Sequence, residues 1–370
     1  MELIEDGTTI EQQMFAMAAE KKVPLYGVLE LLPLCNLNCD MCYVRMSREE
    51  MEEVGRLRTM EEWTKTAEDM MKAGTLFVLL TGGEPLLYPH FRELYQKLRE
   101  LGMIITINTN GTLIDEAWAD FFAENKPRRI NITLYGADDQ AYGKLCHYPA
   151  GFQKTVNAIR MLRDREIDGK INGSITSKNE EDIKKILDIA KQYDAAVNLD
   201  TYMYPASRER NKPFDEQSRM NPKDAAMAKV LIYKYQMGDI AFEEYRRAII
   251  NTIEQYVPEN YGYERHISCL AGNCSFTINW QGMIRPCVMQ SMPQVNVFDK
   301  GFLQGWETIS NETKKILINE ACVSCRYRPI CNTCAAAALL ETGNYDGIPE
   351  YICEYTKEFY RIMKEGARIC

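Results

Sequence analysis

The sequence predicts an α/β protein: a partial (β/α)6 TIM-type barrel followed by a small cysteine-rich region. Three observations carry this expectation. Short apolar runs alternate with helical patterns across residues 25–202, the mark of a parallel sheet with helical crossovers. There are six such runs, and a closed eight-fold barrel typically needs about 250 residues, so an open barrel fits better. Eight of the thirteen cysteines then lie between Cys269 and Cys353.

Residues 1–24 read as an acidic start and a short helix over 9–21. Residues 25–32 read as the first strand. Thr59-Met60-Glu61-Glu62 is a capping box opening a helix to about residue 72. Leu76-Phe77-Val78-Leu79-Leu80 is wholly apolar, as expected of a strand buried on both faces. Helices over 91–101, 115–124, 152–164 and 179–193 then alternate with strands over 104–108, 130–134, 170–176 and 196–202. Three turns fall at the C-terminal ends of different strands, where such barrels place their reactive groups. They are the loop from Cys35 to Cys42, Gly82-Gly83-Glu84-Pro85 and Asn110-Gly111-Thr112.

Residues 206–260 form a connector, first polar and proline-bearing, then two helices over 224–235 and 242–256. The cysteine-rich region spans 261–353 and a C-terminal helix spans 354–370. The domain boundary is placed near residue 260.

Composition narrows the function. The chain has 370 residues, 46% hydrophobic and 26% charged, with net charge −9. That balance argues against a binder of nucleic-acid phosphates, which needs a basic face. No apolar run reaches the roughly 18 residues of a membrane span. The start lacks the basic-then-apolar build of a signal peptide. A cytoplasmic location follows as the expectation, and thiols in a reducing compartment point to metal rather than disulfides.

Cys35-Asn36-Leu37-Asn38-Cys39-Asp40-Met41-Cys42 holds three cysteines in a C-x3-C-x2-C spacing. Soft sulfur ligands suit an iron–sulfur cluster or zinc. Three thiolates on a four-iron cluster leave one iron open, the property of a site that does chemistry. A partial zinc knuckle would also explain the loop taken alone. Downstream, Cys269-x4-Cys274-x7-Gly282-x4-Cys287 precedes Cys322-x2-Cys325-x5-Cys331-x2-Cys334 and then Cys353. Eight thiolates make two fully ligated four-cysteine sites, suited to electron transfer or to structure. Two four-cysteine zinc sites remain an alternative.

With the Gly-Gly-Glu-Pro turn, these motifs resemble the radical S-adenosylmethionine (radical SAM) superfamily with a C-terminal SPASM extension. The resemblance implies that Cys35, Cys39 and Cys42 hold a 4Fe–4S cluster whose fourth iron binds S-adenosylmethionine. Reduction then releases a 5′-deoxyadenosyl radical that abstracts hydrogen. It assigns the cofactor's methionine end to Gly82, Gly83 and Glu84, and its ribose to Thr133 with Asn110 nearby. The family usually has an aromatic residue just before the third cysteine; here it is Met41, with Tyr43 close enough to assist. It implies two auxiliary 4Fe–4S clusters, one on Cys269, Cys274, Cys287 and Cys334, the other on Cys322, Cys325, Cys331 and Cys353. The last spacer of the four-cysteine run is two residues where the family more often has three.

Two cysteines remain. Cys146 follows the fourth strand, where a thiol could return hydrogen to a substrate radical; a packed thiol is the plainer reading. Cys370 ends the chain. His147 and Arg285 are candidate carboxylate partners, with a solvated or structural role the plainer reading of each, and Tyr202 and Tyr204 could line the substrate cavity or simply form its wall.

SPASM proteins mostly modify ribosomally made peptides by cross-linking, thioether formation or side-chain oxidation, so a peptide substrate is expected. Oxidation or decarboxylation of a small molecule and peptide epimerisation are the alternatives. A non-catalytic iron–sulfur electron carrier would not need the Gly-Gly-Glu turn. Val288 follows Cys287 where the sulfatase-maturing branch carries an Asp. Only 34 residues precede Cys35, whereas a leader-binding winged helix needs about 80, the size of a small domain. Leader recognition is therefore expected to come from a separate protein or to be absent, which weakens the peptide reading without excluding it; a flavodoxin- or ferredoxin-type reductant is expected.

Overall fold

Strands too short and apolar to stand alone here find partners on both sides, and the result is one nine-stranded sheet. The computed structural model describes residues 9–205, 218–258, 263–267 and 269–366. Residues 1–8, the polar half of the connector (206–217) and Cys370 lie outside the described residues.

In chain order the elements are α1 (Ile10–Lys21), β1 (Tyr26–Glu30), α2 (Arg48–Val54), α3 (Met60–Lys72), β2 (Phe77–Thr81), α4 (Phe91–Glu100) and β3 (Ile104–Thr109). Then come α5 (Glu116–Glu124), β4 (Arg129–Thr133), α6 (Asp139–Cys146), α7 (Gly151–Asp164), β5 (Gly169–Ser174), α8 (Ile183–Gln192) and β6 (Ala196–Asp200). The remainder comprises α9 (Pro222–Glu254), β7 (Ser275–Ile278), β8 (Met283–Arg285), β9 (Val295–Asn296), α10 (Val297–Lys300), α11 (Phe302–Thr313), α12 (Glu320–Val323), α13 (Ala335–Thr342) and α14 (Glu350–Glu365).

The strands are ordered β6-β5-β4-β3-β2-β1-β7-β8-β9. β1 to β6 are parallel, as the alternation predicts. Leu29, Leu80, Ile107, Ile130 and Ile171 are at most 1% exposed and belong to one core with Trp63, Tyr95 and Phe122 from the covering helices. Thr59 caps α3, accepting from Glu62 N while the Glu62 carboxylate accepts from Thr59 N at 2.8 Å, the reciprocal bond of a capping box. Ser47 and Glu50 repeat the device on α2, which the sequence reading passed over.

The boundary expected near residue 260 is corrected by β7. This strand pairs in parallel with β1, Gly27 opposite Phe276 and Leu29 opposite Ile278. The cysteine-rich region therefore begins by extending the barrel's own sheet, and its β7–β8–β9 meander is antiparallel. Phe276 approaches Gly27 so closely that a Cβ there would stand 2.7 Å from the ring. The two connector helices are fused into α9, with a break at Gly238 (φ 75°, ψ 168°). No helix among the described residues is long and apolar enough to cross a membrane.

Candidate functional site

The last residues of five strands, Thr81, Thr109, Thr133, Ser174 and Asp200, border one cavity of about 330 Å³. Parallel strands start on the same side and end on the same side, so the sheet alone gathers these ends. Cys35, Cys39, Cys42, Met41, Tyr43, Gly82, Gly83 and Asn110 also line it, together with Tyr135, Asn172 and Asn198 among others.

The glycine turn is fastened to the start of the cysteine loop. Gly83 N donates to Leu32 O at 2.7 Å and Glu84 N to Leu34 O at 2.9 Å. A Cβ on Gly82 (φ 145°) would lie 2.5 Å from Leu32 O, and one on Gly83 2.3 Å from Leu34 O. Only glycine lets the two backbones approach this far.

The thiols are met by N–H groups. Leu37 N lies 3.4 Å from Cys35 Sγ and Arg45 N 3.2 Å from Cys42 Sγ. Asn110 Nδ2 is 3.7 Å from Cys35 Sγ and donates to Asn36 Oδ1 at 2.9 Å. Its Oδ1 accepts from Thr112 N and Oγ1. Asn36 and Thr112 form part of the site that sequence reasoning missed; the Asn-Gly-Thr turn was the available signal. Burial raises the Cys35 thiol, with the Glu84 carboxylate adding to the effect. Among the described residues no three His, Cys, Asp or Glu side chains converge on a point where one metal ion could sit. Cys35, Cys39 and Cys42 all border the cavity.

Several expectations are corrected. Glu84 does not face the cavity: it is wholly buried, and its carboxylate accepts from Thr109 Oγ1, Asn110 N and Leu86 N at 2.8, 2.8 and 3.1 Å. It ties the end of β2 to the end of β3. Burial pushes its pKa up to about 7 against the pull of those three bonds. His147 is likewise not a cavity residue; its Nε2 lies 2.8 Å from Asp40 Oδ1, and Lys178 pairs with the other oxygen. Desolvation opposes ionisation of Asp40, but these bonds hold its carboxyl below the usual range.

Cys146 sits behind the loop rather than in the cavity. It is fully buried in the main core, its carbonyl accepts from Asn38 N at 3.0 Å, and its thiol is hydrogen-bonded to Cys39. The short α6 that positions it is capped by Asp138. Arg285 is buried on β8 opposite Thr277, away from the cavity. Tyr202 and Tyr204 leave the barrel mouth for the C-terminal region: Tyr202 Oη donates to Glu341 at 3.2 Å, and Tyr204 Oη is 3.7 Å from Cys334 Sγ. Asp200 is the one charged side chain among the described cavity-lining residues.

The downstream cysteines separate into two groups. Cys269, Cys287 and Cys334 border a small cavity of about 80 Å³. Cys274 is outside that lining, buried with Ala18, Leu25 and Phe77 but in electrostatic range of Cys269. Cys353, on α14, is in range of Cys331, Cys322 and Cys325. Burial pushes the Cys287, Cys274 and Cys353 thiols up to about 11.

The family model described as the radical SAM superfamily matches residues 29–190, the segment from the end of β1 into α8 that builds most of this cavity. Residues 29–190 form a radical SAM domain. The AdoMet-dependent heme synthase of Methanosarcina barkeri is 25% identical over 344 residues, covering 89% of this chain and 96% of that protein. The antilisterial bacteriocin subtilosin biosynthesis protein AlbA of Bacillus subtilis is 25% identical over 295 residues, 79% of this chain and 60% of AlbA. The fold matches Streptococcus suis SuiB bound to its precursor peptide SuiA with TM-score 0.68 at 19% identity, covering 93% of this chain and 80% of SuiB. The radical SAM domain implies a 4Fe–4S cluster and S-adenosylmethionine, and three thiols facing a glycine backbone cradle across a cavity fit that pair.

Proposed function

We propose that this enzyme oxidatively modifies a ribosomally made peptide, by cross-linking, thioether formation or side-chain oxidation. The observation that carries the reading is the single cavity in which Cys35, Cys39 and Cys42, the Gly82-Gly83 turn and the polar strand ends meet. Cys35, Cys39 and Cys42 hold the cluster. Gly82 and Gly83 present backbone to the methionine end of the cofactor, while Asn110, Thr133, Met41 and Tyr43 line its remaining wall. When bound and reduced, this cofactor pair supplies a 5′-deoxyadenosyl radical that takes a hydrogen atom from the substrate. Glu84 and Asn110 act on the protein side, fixing the loops so that the thiols keep their spacing. Asn172, Ser174 and Asn198 offer hydrogen bonds to substrate at the far strands. Asp200 is placed to accept the proton an oxidised substrate releases.

Cys269, Cys274, Cys287 and Cys334 would hold one auxiliary cluster and Cys322, Cys325, Cys331 and Cys353 a second, which would supply an acceptor for the remaining electron. A flavodoxin- or ferredoxin-type protein is the external reductant, a separate protein recognises the leader, and the enzyme works in the cytoplasm. AlbA's role in subtilosin biosynthesis and the SuiA-bound form of SuiB support a peptide substrate. The near full-length match to a heme synthase favours a second reading, oxidation or decarboxylation of a small molecule.

Anaerobic reconstitution tests both. S-adenosylmethionine cleavage should vanish in the Cys35→Ala, Cys39→Ala, Cys42→Ala triple variant, and persistence would overturn the assignment of the loop. Incubation with peptides encoded beside the gene should remove the mass of two hydrogen atoms from one of them. Turnover of a porphyrin carboxylate with no peptide modified would select the second reading.

A further inference from the structure

β6 carries Asn198 and Asp200 into the reaction cavity, and the four residues that follow lead directly to the cysteine-rich region. Thr201 Oγ1 is 3.1 Å from Tyr355 Oη on α14. Tyr202 Oη donates to Glu341 on α13, and the Glu341 carboxylate is paired with Arg219 at 2.7 Å, both nearly buried. The Arg219 guanidinium lies 3.5 Å above the Tyr351 ring. The Tyr204 ring meets Tyr202 edge-on, centroids 5.0 Å apart at 73°. This packing leaves the Tyr204 hydroxyl beside Cys334 Sγ at 3.7 Å. The same sulfur accepts from Ala337 N at 3.3 Å at the start of α13, so one sulfur receives a backbone and a side-chain donor. Tyr204 is also in electrostatic range of Asp200 on one side and Cys287 on the other.

We propose that Tyr204 is a positioning residue that donates a hydrogen bond to the Cys334 sulfur and links the reaction cavity to the first auxiliary site, tuning it to accept the substrate's electron. This rests on the reading of Cys269, Cys274, Cys287 and Cys334 as a cluster site. A donor to a ligating sulfur stabilises the more negative, reduced cluster and so raises its potential. The balance closes. A substrate C–H bond breaks and its hydrogen atom passes to the 5′-deoxyadenosyl carbon. The substrate radical then gives a proton to Asp200 and an electron to the oxidised auxiliary cluster. A ferredoxin-class acceptor later removes that electron.

The test is potentiometric titration of the reconstituted full chain, followed by electron paramagnetic resonance. Wild type should hold three clusters, roughly twelve irons, and Cys334→Ala should abolish one auxiliary signal, identifying it. Tyr204→Phe, with iron content unchanged, should move that signal alone to a more negative potential. Unchanged potentials would overturn the proposal, as would an equal shift in Tyr202→Phe, which leaves the Tyr204–Cys334 contact in place. Should Tyr204→Phe lose iron, wild type grown with 3-fluorotyrosine provides the second measurement: a more acidic phenol should move the same signal positive, and no movement refutes the role. Equal iron in wild type and Cys334→Ala, with no auxiliary signal in either, would instead sink the auxiliary-site reading, and this inference with it.

Discussion

Substituting Gly83 with Ala should damage the site through the protein alone, before any cofactor is present. The new Cβ would stand 2.3 Å from Leu34 O, 2.6 Å from Leu34 C and 2.7 Å from Pro33 O. All three are backbone atoms, so no side chain can rotate away. Relief requires the 32–34 segment to move off the turn, stretching the bonds Gly83 N to Leu32 O and Glu84 N to Leu34 O. Overpacking of this kind costs about 1–3 kcal/mol, and one lost hydrogen bond adds about 1 kcal/mol. The expected loss is about 2–4 kcal/mol, read from urea unfolding of the apo protein under anaerobic reducing conditions. Because Cys35 follows directly on the displaced segment, reconstitution should also fall short by about four irons, one cluster's worth. Gly102→Ala is the control: its φ is 78° but nothing lies within 4 Å, so only left-handed strain of about 1–2 kcal/mol applies, with full iron loading. If Gly83→Ala matches wild type within about 0.5 kcal/mol, the range of neutral surface changes, and loads fully, the close backbone approach is not what glycine is there for.

The buried Glu84 makes stability pH-dependent. Burial pushes its folded pKa up to about 7 from the ordinary 4.5, so its contribution is present in full below about pH 4.5 and lost as pH rises to about 7, of order 3 kcal/mol in all. Urea midpoints of the apo protein should fall over that window and the slope should flatten in Glu84→Gln; superimposable profiles would contradict the burial argument. Glu341→Ala removes the carboxylate paired with the buried Arg219 guanidinium, which should cost about 3–5 kcal/mol; an unfolding measurement showing less than about 1 kcal/mol would mean that water or another partner compensates the charge.

Much of the barrel was legible because its signals are local. The capping box at Thr59 fixed the start of α3 to within a residue, and the apolar run near Leu79 could only be a strand covered on both faces. Which face meets the cavity was not legible. β5 and β6 alternate, Ile171 and Leu199 buried between more exposed Asn172, Asn198 and Asp200, but a period of two does not say whether the polar side meets a cavity or open solvent. The α6 helix, at eight residues, is too short for a 3.6-residue pattern to stand out, so the sequence left Cys146 between a packed thiol, which it is, and a hydrogen donor near the reaction.

By itself the sequence determined the (β/α) alternation, the two cysteine groups and the turns at the strand ends. Each rests on spacing between near neighbours, and chain direction in a parallel sheet carries all strand ends to one face. Only the tertiary structure decided that β7 joins the barrel's sheet beside β1, that Glu84 turns inward to clamp Asn110, and that Tyr204 turns outward to Cys334. Those outcomes depend on contacts between residues as far apart as Gly27 and Phe276 or Tyr204 and Cys334. Which of several available partners a side chain meets is set by close packing of the whole molecule, and no local pattern encodes it.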